Sequence, residues 1–242
     1  KPDLLQQIEH GTLALLAQFR AVGHAIPGII VPHLSQYTHL GDGLTMTDNL
    51  IYNPEMSELE SDGFKSGVFD DRWAFTSQSS ALNFGSIAAL AAASRALKGY
   101  DDELSNESLE TAIKAWNEEQ SREPVIFKHG NTTGGSLPVE ELNAALELLL
   151  TTGEQTYADN YLKHLGEIEK SFARLAIPAV RAMPYLDEEY KDKIRNCICS
   201  VFRAAIITVE FIDRHRDILF VNLRFAYRDI FIAGNLNWIR IL

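Results

Sequence analysis

Between Ser79 and Leu97 the chain reads SSALNFGSIAALAAASRAL, with Ala81, Leu82, Phe84, Ile87, Ala88, Leu90 and Ala91 to Ala93 spread through it and no proline. Apolar residues three and four apart describe one helix. The density of alanine lets neighbouring helices approach closely. Gly99 supplies the stop. This is the pattern of a helix built to pack against other helices, and the sequence on either side repeats it.

Upstream, Leu4, Leu5, Ile8, Leu13, Leu15, Leu16 and Phe19 predict an amphipathic helix over Asp3 to Ala21. Downstream, Leu109, Ile113 and Trp116 share a face of a helix over Asn106 to Glu119. After the loop Gly130 to Gly135, Ser136 is placed to cap a helix with Pro138, Glu140 and Glu141 in its first turn, ending at Thr151-Thr152-Gly153. Further helical pieces cover Glu154 to His164, Glu167 to Ala182 and Asp187 to Ile212, with Pro178 and Pro184 as kinks or breaks. No strands alternate with these helices, which disfavours parallel α/β folds, and no fixed-period repeat is present. The expected class is all-α, helices joined in series, with one long decorated loop. That loop runs from Val22 to Trp73 and is punctuated by Pro27, Gly28, Pro32, Gly41, Gly43, Pro54, Gly63 and Gly67. It holds only short β-like pieces such as Gly28-Ile29-Ile30-Val31. So long a connection is either functional or an ordered surface decoration.

The 242 residues fit one domain or two and suffice for a real core. With 22 Lys and Arg against 33 Asp and Glu, the formal charge is −11. Binding to phosphate backbones has no electrostatic drive over most of such a surface, so nucleic acid is not an expected partner, whereas neutral sugars remain open. No apolar run of 18 residues occurs, and the chain opens on Lys1-Pro2-Asp3 without the form of a leader, as a mature form or an interior piece does. Cys197 and Cys199 sit two apart on a helix, where they face apart and cannot pair; Cys-x-Cys alone is also a poor zinc site.

Phosphate loops, HExxH and GxSxG are absent. His24, His33 and His39 share the long excursion at a spacing of no common metal site. Asp70-Asp71 and Asp101-Asp102 are pairs of the type glycoside hydrolysis uses, one carboxyl as acid and one as base or nucleophile, but adjacent carboxylates serve equally as helix caps or solvated surface, and Asp102 is placed to cap the helix after it. The aromatics Tyr37, Tyr52, Phe64, Phe69, Trp73 and Phe75 lie in or beside the excursion. Flat aromatic faces grip the CH faces of neutral sugars, with core packing as the competing role.

Four segments in order carry a resemblance. They are Leu4-Leu5 through Ile8 and Gly11; Gly28 to Val31 with Gln36 to Asp42 and Thr47-Asp48-Asn49; Ala81 to Arg95 followed by Ala112-Ile113-Lys114-Ala115-Trp116; and Glu140 to Tyr157. Together they resemble the interior of glycoside hydrolase family 9, the family of cellulases and related endo-β-1,4-glucanases, over Asp3 to Asn196. The resemblance implies an (α/α)6 barrel-type helical toroid of twelve helices, of which about six are visible here. It also implies an inverting hydrolase of β-1,4-linked glucan, secreted or periplasmic. In that family an Asp pair in a DAGD-like motif activates water and a distant Glu protonates the leaving oxygen. The first lies upstream of the matched part and the second downstream, so no catalytic residue is assigned to this chain. The family's calcium site, carried over residue by residue, falls on Glu140 and Glu141, which otherwise read as an acid pair at a helix N-terminus. Calcium in this structural role is the one cofactor implied, and none is required for the chemistry. Tyr37, His39 and Trp73 are the expected sugar-binding residues.

The expected organisation is a partial catalytic domain over 1–213 and an atypical tail over 214–242, where five Arg and two Asp give +3 against −14 for the rest. Ile218 to Tyr227 reads as strand, either a native edge element or a non-native terminus. Two readings remain: a family 9 hydrolase whose acid and base lie outside this stretch, or a non-catalytic helical scaffold or carbohydrate-binding remnant. A third, blander reading is a helical interaction domain unrelated to sugars. A part of a barrel exposes apolar helix faces, so self-association is expected. If a change of reading frame produced the tail, translating the encoding DNA in its other two frames restores family-like sequence beyond Asp217; its absence from both frames refutes that origin.

Overall fold

The computed structural model describes residues 2–30, 42–44, 48–127 and 134–214, with the backbone course alone for 42–44 and 202–214. Eight α-helices occur among the described residues: α1 Pro2–Val22, α2 Ser80–Leu97, α3 Asp102–Gln120, α4 Leu137–Thr152, α5 Gln155–Leu162, α6 Leu165–Lys170, α7 Phe172–Ala182 and α8 Glu188–Arg214. The all-α class is borne out. The chain divides into two compact units, Lys1–Asp187 and Glu188–Leu242.

In the first unit α2 is the element against which α1, α3 and α4 pack. Its Phe84, Ile87, Leu90, Ala91 and Leu97 are buried, as are Ser80, Asn83, Ser86 and Ser94. Burial on so many sides explains why this helix is apolar nearly all round. Helix α1 turns Leu5, Ile8, Leu16 and Phe19 inward at helical spacing and leaves Leu4 and Leu13 exposed. Helix α3 buries Leu104, Ser108, Ala112, Ala115, Trp116 and Glu119, one stripe in steps of three and four. Trp116 stands edge-on between Phe84 and Tyr157, with ring centroids 5.5 Å and 5.8 Å away, a geometry that places positive ring edges on negative faces. Gly153 ends α4 in the left-handed conformation at φ 72°.

Three boundaries differ from the sequence reading. Helix α3 starts four residues early because Asp101, not Asp102, is its cap: the Asp101 carboxylate accepts the Leu104 N–H at 3.0 Å, while Asp102 accepts the Gly99 N–H. The segment after His164 is two helices divided at Ser171, and α7 runs through Pro178 without ending there. Ser136 precedes α4, but its side chain makes no cap hydrogen bond; its carbonyl instead accepts from Val139 and Glu140.

The long excursion holds a sheet. Strand β5 (Arg72–Phe75) lies between β1 (Gly28–Ile30) and β2 (Asp42–Leu44), antiparallel to both, with Trp73 opposite Ile30 and Gly43. The short strands β3 (Ile51–Tyr52) and β4 (Lys65–Ser66) pair in parallel. Acidic side chains fasten residues 48–71 by accepting backbone N–H groups: Asp48 from Leu50, Glu60 from Ser57, Asp62 from Phe64 and Lys65, and Asp71 from Tyr52. These bonds hold the carboxyls of Glu60 and Asp62 below their ordinary range. Tyr52 and Phe69 pack edge to face at 5.0 Å, whereas Phe64 is exposed.

The second unit is described as far as Arg214. Its helix α8 carries the ion pairs Lys191 to Glu188, Lys193 to Glu189 and Arg195 to Asp192. Cys197 and Cys199 are not joined in a disulfide. The strand-like reading of 218–227 lies outside the described residues.

A turn at Gly134-Gly135 lies flat on the first turn of α2. A Cβ on Gly134, whose φ is +87°, would stand 2.5 Å from the Leu82 nitrogen. Gly134→Ala is therefore expected to cost about 2 kcal/mol or more, read as a lowered Tm by circular dichroism. Gly11→Ala, on the open face of α1 where a Cβ meets nothing within 4 Å, is expected to raise Tm slightly.

Candidate functional site: a cleft at the start of α2

Strand β5 feeds directly into α2 through Thr76 to Ser79, so the strand carrying Trp73 and the N-terminus of the central helix are covalently adjacent. At that junction a cleft of about 370 Å³ is lined by Ser79, Ala81, Val125, Ile126, Phe127, Gly135 and Leu137. Ser79 caps α2 by accepting the Leu82 N–H. The walls are apolar apart from that hydroxyl, with Phe127 the aromatic member. Such a surface suits a neutral ligand with CH faces better than an ion.

Behind the cleft lies a buried polar cluster. Glu119 accepts from the Ser80 hydroxyl at 2.6 Å, from the Asn83 amide at 2.6 Å and from the guanidinium of Arg122. The Ser80 hydroxyl in turn accepts the Val125 N–H, and the Asn83 carbonyl oxygen accepts the Ala25 N–H. A second buried acid, Glu147 on α4, is clasped by Arg95 from α2 and Arg181 from α7. Burial pushes the Glu147 carboxyl up, but the hydrogen bonds from Arg181 and Arg95 outweigh it and hold the group below its ordinary value.

Of the expected sugar-binding residues, Trp73 lies in the middle of β5, half-buried, while Tyr37 and His39 lie outside the described residues. His24 is buried with Nδ1 2.9 Å from the Ala25 carbonyl oxygen. Asp48 and Asp71 are engaged in fastening the excursion, and Asp101 and Asp102 in the start of α3. The sequence reading missed Glu119 and Glu147. The signal for the first was present in Ser80 and Asn83, two polar residues one turn apart opening an apolar helix; nothing local marked the second.

Glu140 and Glu141 part company. Glu140 is half-buried against Gly85 and the Gly135 turn, accepting from the Gly135 N–H and from Asn143; burial wins and raises its pKa. Glu141 faces His164 at 3.4 Å and accepts from Gln120 at 2.8 Å, and the His164 hydrogen bond lowers its pKa. The two carboxylates thus serve different partners, and among the described residues no three His, Cys, Asp or Glu side chains converge as a metal site.

A family model for glycosyl hydrolase family 9 matches residues 35–204. The chain belongs to glycosyl hydrolase family 9. Membership accords with the fold class, a run of helices forming part of the family's (α/α)6 toroid. Among solved structures, a metagenome-derived glycoside hydrolase family 9 endoglucanase is similar at 18% identity and a TM-score of 0.47, over 69% of this chain and 27% of that one. The chain thus spans about a quarter of that relative's length. No curated protein matches it.

The opposite shifts of the neighbouring acids predict opposite responses. A carboxyl held low stabilises the fold above the unfolded value of about 4.3 and loses that contribution as pH falls, whereas one held high is a burden once ionised. Glu141→Gln is expected to lower stability by about 1 kcal/mol at pH 7 and by less at pH 4. Glu140→Gln is expected to leave Tm unchanged or raised at pH 7. Thermal melts of both variants at the two pH values check this.

Proposed function

We propose that this chain is the substrate-binding interior of an inverting family 9 glycoside hydrolase acting on β-1,4-linked glucan, with the catalytic acid and base lying outside this stretch. The observation that carries the reading is the family match over residues 35–204. The apolar cleft at the start of α2, beside the strand that holds Trp73, supports it. In such hydrolysis one carboxylate takes a proton from water as it attacks the anomeric carbon, and a carboxylic acid on the other face protonates the departing oxygen. Those two carboxyl groups suffice, so the reading needs no cofactor. Tyr37, His39 and Trp73 would bind the sugar rings. The expected setting is secreted or periplasmic; no helix among the described residues is long and apolar enough to cross a membrane.

The second reading, a non-catalytic helical scaffold or carbohydrate-binding remnant, shares with the first the expectation that no carboxylate of this stretch is catalytic. Asp48, Asp71, Glu119, Glu141 and Glu147 are each occupied by partners that build the fold. The two readings differ on hydrolysis. Exposed Ile177 and Val180 on α7, with Leu4 and Leu13 on α1, are the faces through which the chain would self-associate.

A reducing-sugar assay on carboxymethylcellulose, mixed-linkage glucan and xyloglucan separates the two, run with this chain and with the whole parent protein. Activity in the parent alone is expected. Hydrolysis by this chain would place the chemistry on its own carboxylates, with Asp48, Asp70 and Asp71 the first to replace. Trp73→Ala is expected to weaken glucan binding about fivefold, the loss of one stacking contact.

A further inference from the structure

We infer that Glu119 is the positioning residue of the cleft at the start of α2, one carboxylate that fixes both the cleft wall at Val125 and the approach to the sheet that carries Trp73. The inference rests on the glucan-binding reading above.

The Glu119 side chain is 2% exposed, and a carboxylate in that place acts as an acceptor only. That single property orients everything around it. Ser80 gives its one hydroxyl proton to Glu119, so its oxygen is left to accept, and it accepts the N–H of Val125 at 2.8 Å. The Ser80 N–H also donates to the Val125 carbonyl at 3.0 Å, which locks that residue in register with α2. Val125, Ile126 and Phe127 then form one wall of the cleft. On the other side, Asn83 turns its amide nitrogen to Glu119, so its oxygen faces away and accepts the Ala25 N–H at 3.0 Å. Three residues later the chain enters β1, which pairs with β5 opposite Trp73.

Glu119→Gln nearly conserves volume and reverses this logic. Its new amide N–H₂ meets the donors of Ser80, Asn83 or Arg122, and a donor facing a donor forces one group to turn over. If the Ser80 hydroxyl turns, its proton leaves residue 119 and its oxygen is shared between the new amide and the Val125 N–H; if the Asn83 amide turns, the Ala25 N–H loses its acceptor. Glu147 supplies the control. It too is a buried carboxylate with strong partners, but those partners, Arg95 and Arg181, line no part of the cleft.

The test compares Glu119→Gln, Glu147→Gln and Ser80→Ala in the full chain, with cellohexaose binding measured by titration calorimetry below all the melting temperatures. Amide hydrogen exchange at Ala25 and Val125 is followed in parallel. Glu119→Gln and Ser80→Ala are expected to weaken binding by about tenfold or more. Exchange is expected to quicken at Ala25 or Val125 in Glu119→Gln and at Val125 in Ser80→Ala. Glu147→Gln is expected to lower Tm and bind cellohexaose as tightly as the wild type. Equal binding by Glu119→Gln and Glu147→Gln, whether both retain it or both lose it, overturns the positioning role. Should Glu119→Gln fail to fold, Ser80→Ala decides in the same way. A wild-type chain that binds no cellohexaose overturns the glucan reading and this inference together, whereas wild-type binding with an unaffected Glu119→Gln overturns the inference alone.

Discussion

The structure depends on the burial of α2. A helix packed against three others cannot leave the polar groups of its first turns to water, so each needs an internal partner. Ser79 caps one N–H, Val125 takes another, and Glu119 gathers the side chains of Ser80 and Asn83. An isolated carboxylate in such a place would be costly. Three donors, one of them a guanidinium, offset that cost and turn the acid into a fixed point.

The glycines at 134 and 135 answer the same constraint from outside. The turn they form lies so close to α2 that side chains there would strike its backbone or the Glu140 carboxylate. Close approach lets Glu140 accept the Gly135 N–H, and the same closeness strips water from its carboxyl and raises its pKa. Its neighbour Glu141, one residue on and about 100° round the helix, meets a histidine and an amide and shifts the other way. Adjacency in sequence is thus no guide to a shared environment on a helix.

The excursion between α1 and α2 is built on a different economy. Among its described residues few large side chains are buried, and acidic side chains folded back onto backbone N–H groups fasten residues 48–71. It delivers β5, and with it Trp73, to the beginning of α2. Carboxylates that look catalytic when read as sequence are consumed here as local structure.

The sequence by itself determined the helices, because their periodicity and stops are local properties: Leu5 to Phe19 for α1, the alanine-rich run for α2, and Gly153 for the end of α4. It also determined the family, through four segments in order. Only the tertiary structure decided which polar residues act together. Glu119 meets Ser80 across 39 positions and Glu147 meets Arg95 across 52, and no local pattern encodes a hydrogen bond between helices. The three-stranded sheet was hidden for the same reason, since β5 gains its partners from segments far away in sequence. Helix hydrogen bonds close within four residues and so are written in the sequence, whereas strand pairing and buried polar clusters exist only once the chain has folded back on itself.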